Sequence, residues 1–365
     1  MEFDPVAHME WAKLKSRARI NLSRSGVPGL GWTDLGLSFE GIEINGDHPY
    51  GYPPLVEAIA ARHRAKPEQV IPSIGTSMAI FHVCAALLGP GDTAAVERPA
   101  YEQMRAVPKA LGARVVRFDR TLEEGFRVDP ESLAERIPEG TKLVLMTNLH
   151  NPSGVWLSPA EIRAVAGVAA RKGAWLFIDE VYLEFMPGEA ARTAFGLADN
   201  ILTAASLTKV FGLSGLRCGW ILVPSPLVTR FRRALDHFFV EPVFPSEQIS
   251  ARVFPLLDTI KEKRRSEWEQ RRRETAAFIA GEPRLSWIEP SAGIVGFPRV
   301  HGADGSGDAL ARVLRERWET SIVPGTFFED PRSVRLGFGV EPAVLEEGLR
   351  AIRSALDAVV EPTTP

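Results

Sequence analysis

The chain has 365 residues, 45% hydrophobic and 24% charged, enough for one large or two unequal domains with a substantial core. Its 43 basic and 46 acidic side chains are interspersed and leave a formal charge of −3, which excludes the broad basic face of a nucleic-acid or anionic-membrane binder. Two cysteines, Cys84 and Cys218, stand far apart in apolar surroundings and give neither a disulfide framework nor metal-ligand spacing. No apolar stretch reaches the roughly 18 residues of a membrane span. The start, Met1-Glu2-Phe3-Asp4-Pro5, lacks the basic end and apolar run of a secretory signal, so a cytoplasmic protein is expected.

The first forty residues are too short to fold alone, and residues 1–40 are expected to pack against a small domain. Gly75-Thr76-Ser77 opens a helical run from Met78 to Leu88. Small residues at a helix start present free backbone N–H groups to an anion such as phosphate. Buried strands are predicted at 93–97, 114–118, 143–146 and 175–178, with helices at 131–137 and 159–172 between them. The latter opens at Ser158-Pro159, a capping residue followed by proline. Apolar strands separated by helices imply an α/β domain around a mainly parallel sheet, here over residues 41–257. On such sheets active sites lie at the carboxyl ends of the strands.

Residues 246–280 read as one or two long, charge-rich helices, of which 258–281 joins two domains. The basic residues from Lys261 to Arg273 are interrupted by acids and read as a solvated helix face. Residues 282–365 carry two or three strand-like runs and a closing helix at 343–360, a smaller α+β domain.

Polar groups follow the predicted strands directly. Thr147 to Gly154, containing Asn151-Pro152-Ser153-Gly154, is a turn signal. Asp179 ends the strand before Glu180-Val181-Tyr182 and is either a helix cap or a functional carboxylate. Lys209, in Ser206-Leu207-Thr208-Lys209, sits among Ala204, Ala205, Val210, Phe211 and Leu213. Burial lowers a lysine's pKa and makes its amine a nucleophile for carbonyl chemistry. Ser206 and Arg217 are candidates for holding a phosphate, the arginine bidentately. The Ser-x-x-Lys of β-lactamases is excluded, because Ser-Asp-Asn and Lys-Thr-Gly are missing. The seven histidines form no ligand set; His150 reads as a turn histidine, and Trp175, Trp220 and Trp287 as core.

Taken together, Gly75-Thr76-Ser77, Pro99-Ala100-Tyr101, Asn151-Pro152-Ser153-Gly154, Asp179-Glu180-Val181-Tyr182, Ser206-x-x-Lys209, Arg217, Pro324-Gly325-Thr326-Phe327-Phe328 and Arg335 resemble, in order and spacing, the pyridoxal 5′-phosphate enzymes of the aspartate aminotransferase superfamily (fold type I). The resemblance spans nearly the whole chain. It implies a Schiff base on Lys209, with Asp179 beside the pyridine nitrogen. Asn151 and Tyr182 would bond the phenolic oxygen, and Tyr101 would stack on the ring. Gly75, Thr76, Ser77, Ser206 and Arg217 would hold the phosphate, and Arg335, with Asn151, the substrate α-carboxylate. No metal is implied.

It also implies a homodimer. The tyrosine that relatives lend to the partner's phosphate falls here at Gly46, next to Asn45, with Tyr50 and Tyr52 shifted. The expected reaction moves an amino group between an α-amino acid and a 2-oxo acid. A β-eliminating carbon–sulfur lyase, a decarboxylase or an oxidase would use the same residues. The register in which aspartate-specific relatives carry a second arginine falls at 237–245, which has none, so a non-acidic donor is expected.

Overall fold

In the computed structural model, residues 3–38, 40–302 and 306–360 are described. The Met1–Glu2 start, Phe39, 303–305 and the 361–365 end of the C-terminal part lie outside the described residues. The N-terminal segment contributes α1 (Ala7–Leu14), β1 (Ile20–Asn21) and α2 (Trp32–Leu35). There follow α3 (Pro53–His63), β2 (Val70–Ile74), α4 (Thr76–Leu87), β3 (Thr93–Arg98), α5 (Gln103–Ala110) and β4 (Arg114–Asp119). Next come α6 (Pro130–Arg136), β5 (Leu143–Thr147), α7 (Pro159–Arg171), β6 (Trp175–Asp179), β7 (Ile201–Ser206) and β8 (Cys218–Leu222). The four predicted strands and the helices predicted at 131–137 and 159–172 are present, with ends displaced by a residue or two.

These strands form one seven-stranded sheet in the order β2-β8-β7-β6-β5-β3-β4. Strand β8 runs antiparallel to β7 and β2, and the other pairs are parallel. Alternating side chains feed two cores, as strand geometry requires. Phe177 packs with Ile80, Leu145 and Phe231 on one face, while Leu176 and Ile178 pack with Val144 and Val165 on the other. The result is a three-layer α/β domain.

Strands β2, β7 and β8 are absent from the sequence reading. In β2, Pro72 argues against a central strand, and β2 is indeed at the sheet edge, where a missing N–H costs little. The end of β7, Ala204-Ala205-Ser206, has weak strand propensity and is held by pairing on both sides.

Helices α8 (Val228–Phe238), α9 (Phe244–Val253) and α10 (Leu257–Ala280) lead onward. The solvated-face reading of α10 needs correction at two residues. Lys261 and Arg271 are buried; their charges are met by Glu184 at 3.1 Å and Glu274 at 2.7 Å. Then follow β9 (Leu285–Ser286), β10 (Val295–Gly296), β11 (Arg299–Val300), α11 (Gly307–Trp318), β12 (Thr320–Ser321), β13 (Val323–Pro324), β14 (Val334–Gly337) and α12 (Pro342–Val360). Antiparallel β10-β14-β13 with α11 and α12 form the smaller α+β part. Strand β1 joins it by pairing in parallel with β12. The chain passes so close here that a Cβ on Gly337 would lie 1.8 Å from the carbonyl oxygen of Arg24.

Candidate active site

At the carboxyl end of β2, Gly75 has φ +75° and caps α4. A side chain there would strike Arg217, because a Cβ would lie 2.3 Å from Nη2. Arg217 itself is left-handed, φ +51°, and donates to the carbonyls of Ile74 at 3.2 Å and Ser214 at 3.4 Å. The hydroxyl of Thr76 donates to Ser206 at 2.9 Å, and Ser206 and Thr208 share a bond of 2.8 Å. The first N–H groups of α4 have no acceptor within the helix, so helix end, hydroxyls and guanidinium together form an anion cradle. Ser77, one residue on, hydrogen-bonds the phenol of Tyr101.

Lys209 lies just beyond β7, partly buried, and donates from Nζ to Ser25 Oγ at 3.0 Å. Burial, with Arg335 and Arg217 nearby, lowers its pKa to about 8, against the opposing pull of Asp179. Asp179 ends β6 and is buried. Burial pushes its carboxyl up to about 7, although the Val181 N–H on Oδ1 at 2.9 Å and the Lys209 charge favour ionisation. That local bond is the cap-like use of Asp179, and it engages one oxygen. Tyr182 is buried beside Ser25, and burial raises its phenol.

Arg335, on β14, reaches the same place and is 3% exposed. It donates to Asn151 Oδ1 at 3.2 Å and to the Ser23 carbonyl at 3.1 Å, and its guanidinium lies 5.2 Å from the Phe328 ring centre. Its Nε has no partner among the described residues. Tyr101 donates to Met9 Sδ at 3.2 Å, and burial lifts its phenol to about 12. Gly75, Thr76, Ser77, Tyr101, Asn151, Asp179, Tyr182, Ser206, Lys209, Arg217 and Arg335 therefore lie together beside the strand ends.

What supports them has no local signature. Fully buried Glu97 accepts from Arg120 at 2.6 Å and from both the N–H and hydroxyl of Thr147 at 2.7 Å. The Thr147 hydroxyl in turn accepts from the Asn151 N–H at 2.9 Å, fixing the turn that carries Asn151. Burial pushes the Glu97 carboxyl up against the pull of Arg120. His150 stays in its turn, buried between Pro99 O at 2.9 Å and Ser153 Oγ at 2.6 Å, and burial holds its pKa well down. Ser23, Ser25 and His8 also went unnoticed, since their partners lie far away in sequence. Thr208 stood inside a motif already in view, and its hydroxyl was the available signal. Among the described residues no cluster of three metal-ligating side chains occurs, and no helix is long and apolar enough to cross a membrane.

Residues 44–352 match the family aminotransferase class I and II. The chain belongs to this family. The aminotransferase uses pyridoxal 5′-phosphate, as the family does, and moves amino groups between amino acids and 2-oxo acids. It is 32% identical to the arginine–pyruvate transaminase of Pseudomonas aeruginosa over 82% of this chain and 79% of that protein. It is 30% identical to the capreomycidine synthase of Streptomyces vinaceus, over 82% and 77%. In fold it resembles a pyridoxal-phosphate-dependent aminotransferase from Streptococcus suis, with a TM-score of 0.92 at 24% identity over 100% of both chains.

Proposed function

We propose that Lys209 carries the pyridoxal phosphate and shuttles the α-proton, that Asp179 faces the ring nitrogen, and that Arg335 grips the substrate α-carboxylate. The observation that carries this reading is the meeting of a low-pKa amine, a buried carboxyl and a buried guanidinium at the ends of β6, β7 and β14. These residues fit the cofactor chemically. The cradle of Thr76, Ser77, Ser206, Arg217 and the α4 N-terminus suits a phosphate, and Gly75 leaves it open. When bound, the cofactor supplies the electron sink for bond breaking at the α-carbon. Asn151 and Tyr182 would bond the cofactor's phenolic oxygen, and Tyr101 would offer its ring as a stacking surface. Arg335, with Nε unpaired, can hold a carboxylate bidentately.

The donor we propose is neutral or cationic. The 237–245 stretch has no arginine for a second carboxylate, and burying one unpaired is costly. The similarity to a transaminase named for arginine and pyruvate supports the same reading. A homodimer completes the site: Ile44, Tyr50, Val240 and Val243 are exposed on two segments joined by the His48–Pro242 hydrogen bond. Exposed apolar groups so grouped mark an interface. The division into 1–40, 41–257, 258–281 and 282–365 follows the change from the large sheet to α10 and the smaller sheets. Cys84 and Cys218, both free and buried, suit a reducing cytoplasm.

Borohydride reduction of the holoenzyme followed by peptide mapping tests the lysine: the adduct belongs on Lys209, and another lysine would end the proposal. For the donor, amino acids are compared with and without pyruvate. Arginine or a neutral donor should surpass aspartate, with alanine formed; turnover needing no oxo acid would instead favour a lyase, decarboxylase or oxidase.

A further inference from the structure

One buried nitrogen beside this site has no part in the chemistry above. His8, in α1, is 2% exposed, and its Nδ1 has no hydrogen-bond partner among the described residues. Buried ring nitrogens are ordinarily satisfied, because leaving one unmet is costly. The ring is firmly placed. Glu102 accepts from the His8 backbone N–H at 2.7 Å. The imidazole stacks on Phe327 at 5.3 Å and 14°, and meets Tyr101 at 6.1 Å and Phe328 at 5.4 Å edge-on.

Two of those neighbours belong to the site. Tyr101 is on its cofactor side, and Phe328 lies under the Arg335 guanidinium on its carboxylate side. His8 thus stands in the wall between them, close enough for the charges of Arg335 and Lys209 to reach it. Burial and those two cations push its pKa down to about 3, so the ring is neutral, and its Nε2–H tautomer carries a bare lone pair on Nδ1. Four aromatic rings, those three and Trp11 at 6.4 Å, make the surrounding wall apolar, which strengthens any hydrogen bond formed inside it.

We propose that His8 is a specificity-determining residue whose Nδ1 accepts a hydrogen bond from an N–H or O–H on the donor's side chain. The inference rests on Lys209 and Arg335 holding the substrate as described. The class of substrate is an amino acid with an amide, hydroxyl or guanidinium side chain. An apolar chain of equal length would leave the nitrogen unmet, and a site built to bond a polar group rejects the analogue lacking it.

The test compares wild type with His8→Phe, which keeps an aromatic ring on Phe327 and loses both nitrogens. Donors are arginine, glutamine, norleucine and glutamate. We expect kcat/KM for arginine or glutamine to fall about tenfold relative to norleucine, the effect of one hydrogen bond. Calorimetry with the α-methyl analogues, which bind but have no α-proton to lose, should show the same factor in Kd. His8→Asn, with an amide oxygen to accept, should recover part of the preference, and it stands in if the phenylalanine variant is unstable. An equal fall for norleucine would make His8 a packing residue and overturn the proposal, as would no change or a selective loss on glutamate. Failure of the underlying site reading would show separately, as a borohydride adduct on a lysine other than Lys209 in the wild type.

Discussion

Lys209 Nζ donates to Ser25 Oγ at 3.0 Å across 184 positions of sequence. The same hydroxyl bonds the phenol of Tyr182, so one serine orients both groups. Ser25→Ala should keep the cofactor but lower kcat about tenfold, the cost of one orienting hydrogen bond. Single-turnover kinetics beside a cofactor-binding titration checks this; unchanged chemistry would leave Ser25 as a packing residue.

Asp179→Asn should bind pyridoxal phosphate yet lose at least about a hundredfold in α-proton exchange. The amide keeps the Val181 turn through its carbonyl oxygen but cannot stabilise a protonated ring nitrogen. Exchange of the α-proton in deuterated buffer is the readout. Near-normal exchange would reduce Asp179 to a cap.

The depressed pKa of Lys209 sets a pH dependence for cofactor loading. Below about 8 the amine is protonated and cannot attack the aldehyde; above it the amine is neutral. Loading of apoprotein should therefore accelerate as pH rises through about 8 and then level off. Arg335→Met removes one of the cations that lower this pKa, so the rise should move to higher pH. A rise centred near the ordinary lysine value in the wild type would contradict the burial argument.

Arg120→Met should destabilise the fold by about 3–5 kcal/mol, because it leaves Glu97 buried without its partner. Glu97 also holds Thr147, and Thr147 holds Asn151, so loss of affinity for the α-carboxylate should accompany it. Urea unfolding of the apoprotein gives the first effect and substrate titration the second.

Val240→Asp with Val243→Asp places two charges on the exposed patch, where the wild-type residues are 64% and 56% exposed. The variant should sediment as a monomer and lose activity. A wild type that is monomeric and active at working concentration would remove the dimer from the account.

Much of this architecture was readable because its signals are local. The runs at 93–97 and 143–146 are apolar enough to name themselves, and Asp179, Asn151 and Lys209 follow strand ends within a few residues. What escaped depends on pairing. Pro72 disguises an edge strand, and Ala204-Ala205-Ser206 forms a strand through its neighbours. Ser25 meets Lys209, and His8 meets Tyr101 and Phe328, only across long stretches of chain, and nothing near them in sequence announces it. The Glu97–Arg120 pair looks like two ordinary surface charges until both are found fully buried.

The pairing of Ile20–Asn21 with Thr320–Ser321 imposes an order on assembly. A ribosome makes Ile20–Asn21 long before Thr320–Ser321, so its edge has no mate until the later strand has emerged. Ser23 and Ser25 follow that strand immediately, so their contacts with Arg335 and Lys209 wait as well. A product ending before Thr320 would carry every strand of the seven-stranded sheet and still lack a working catalytic centre. Residues 20–25, made before residues 320–335, therefore wait for them to take their places.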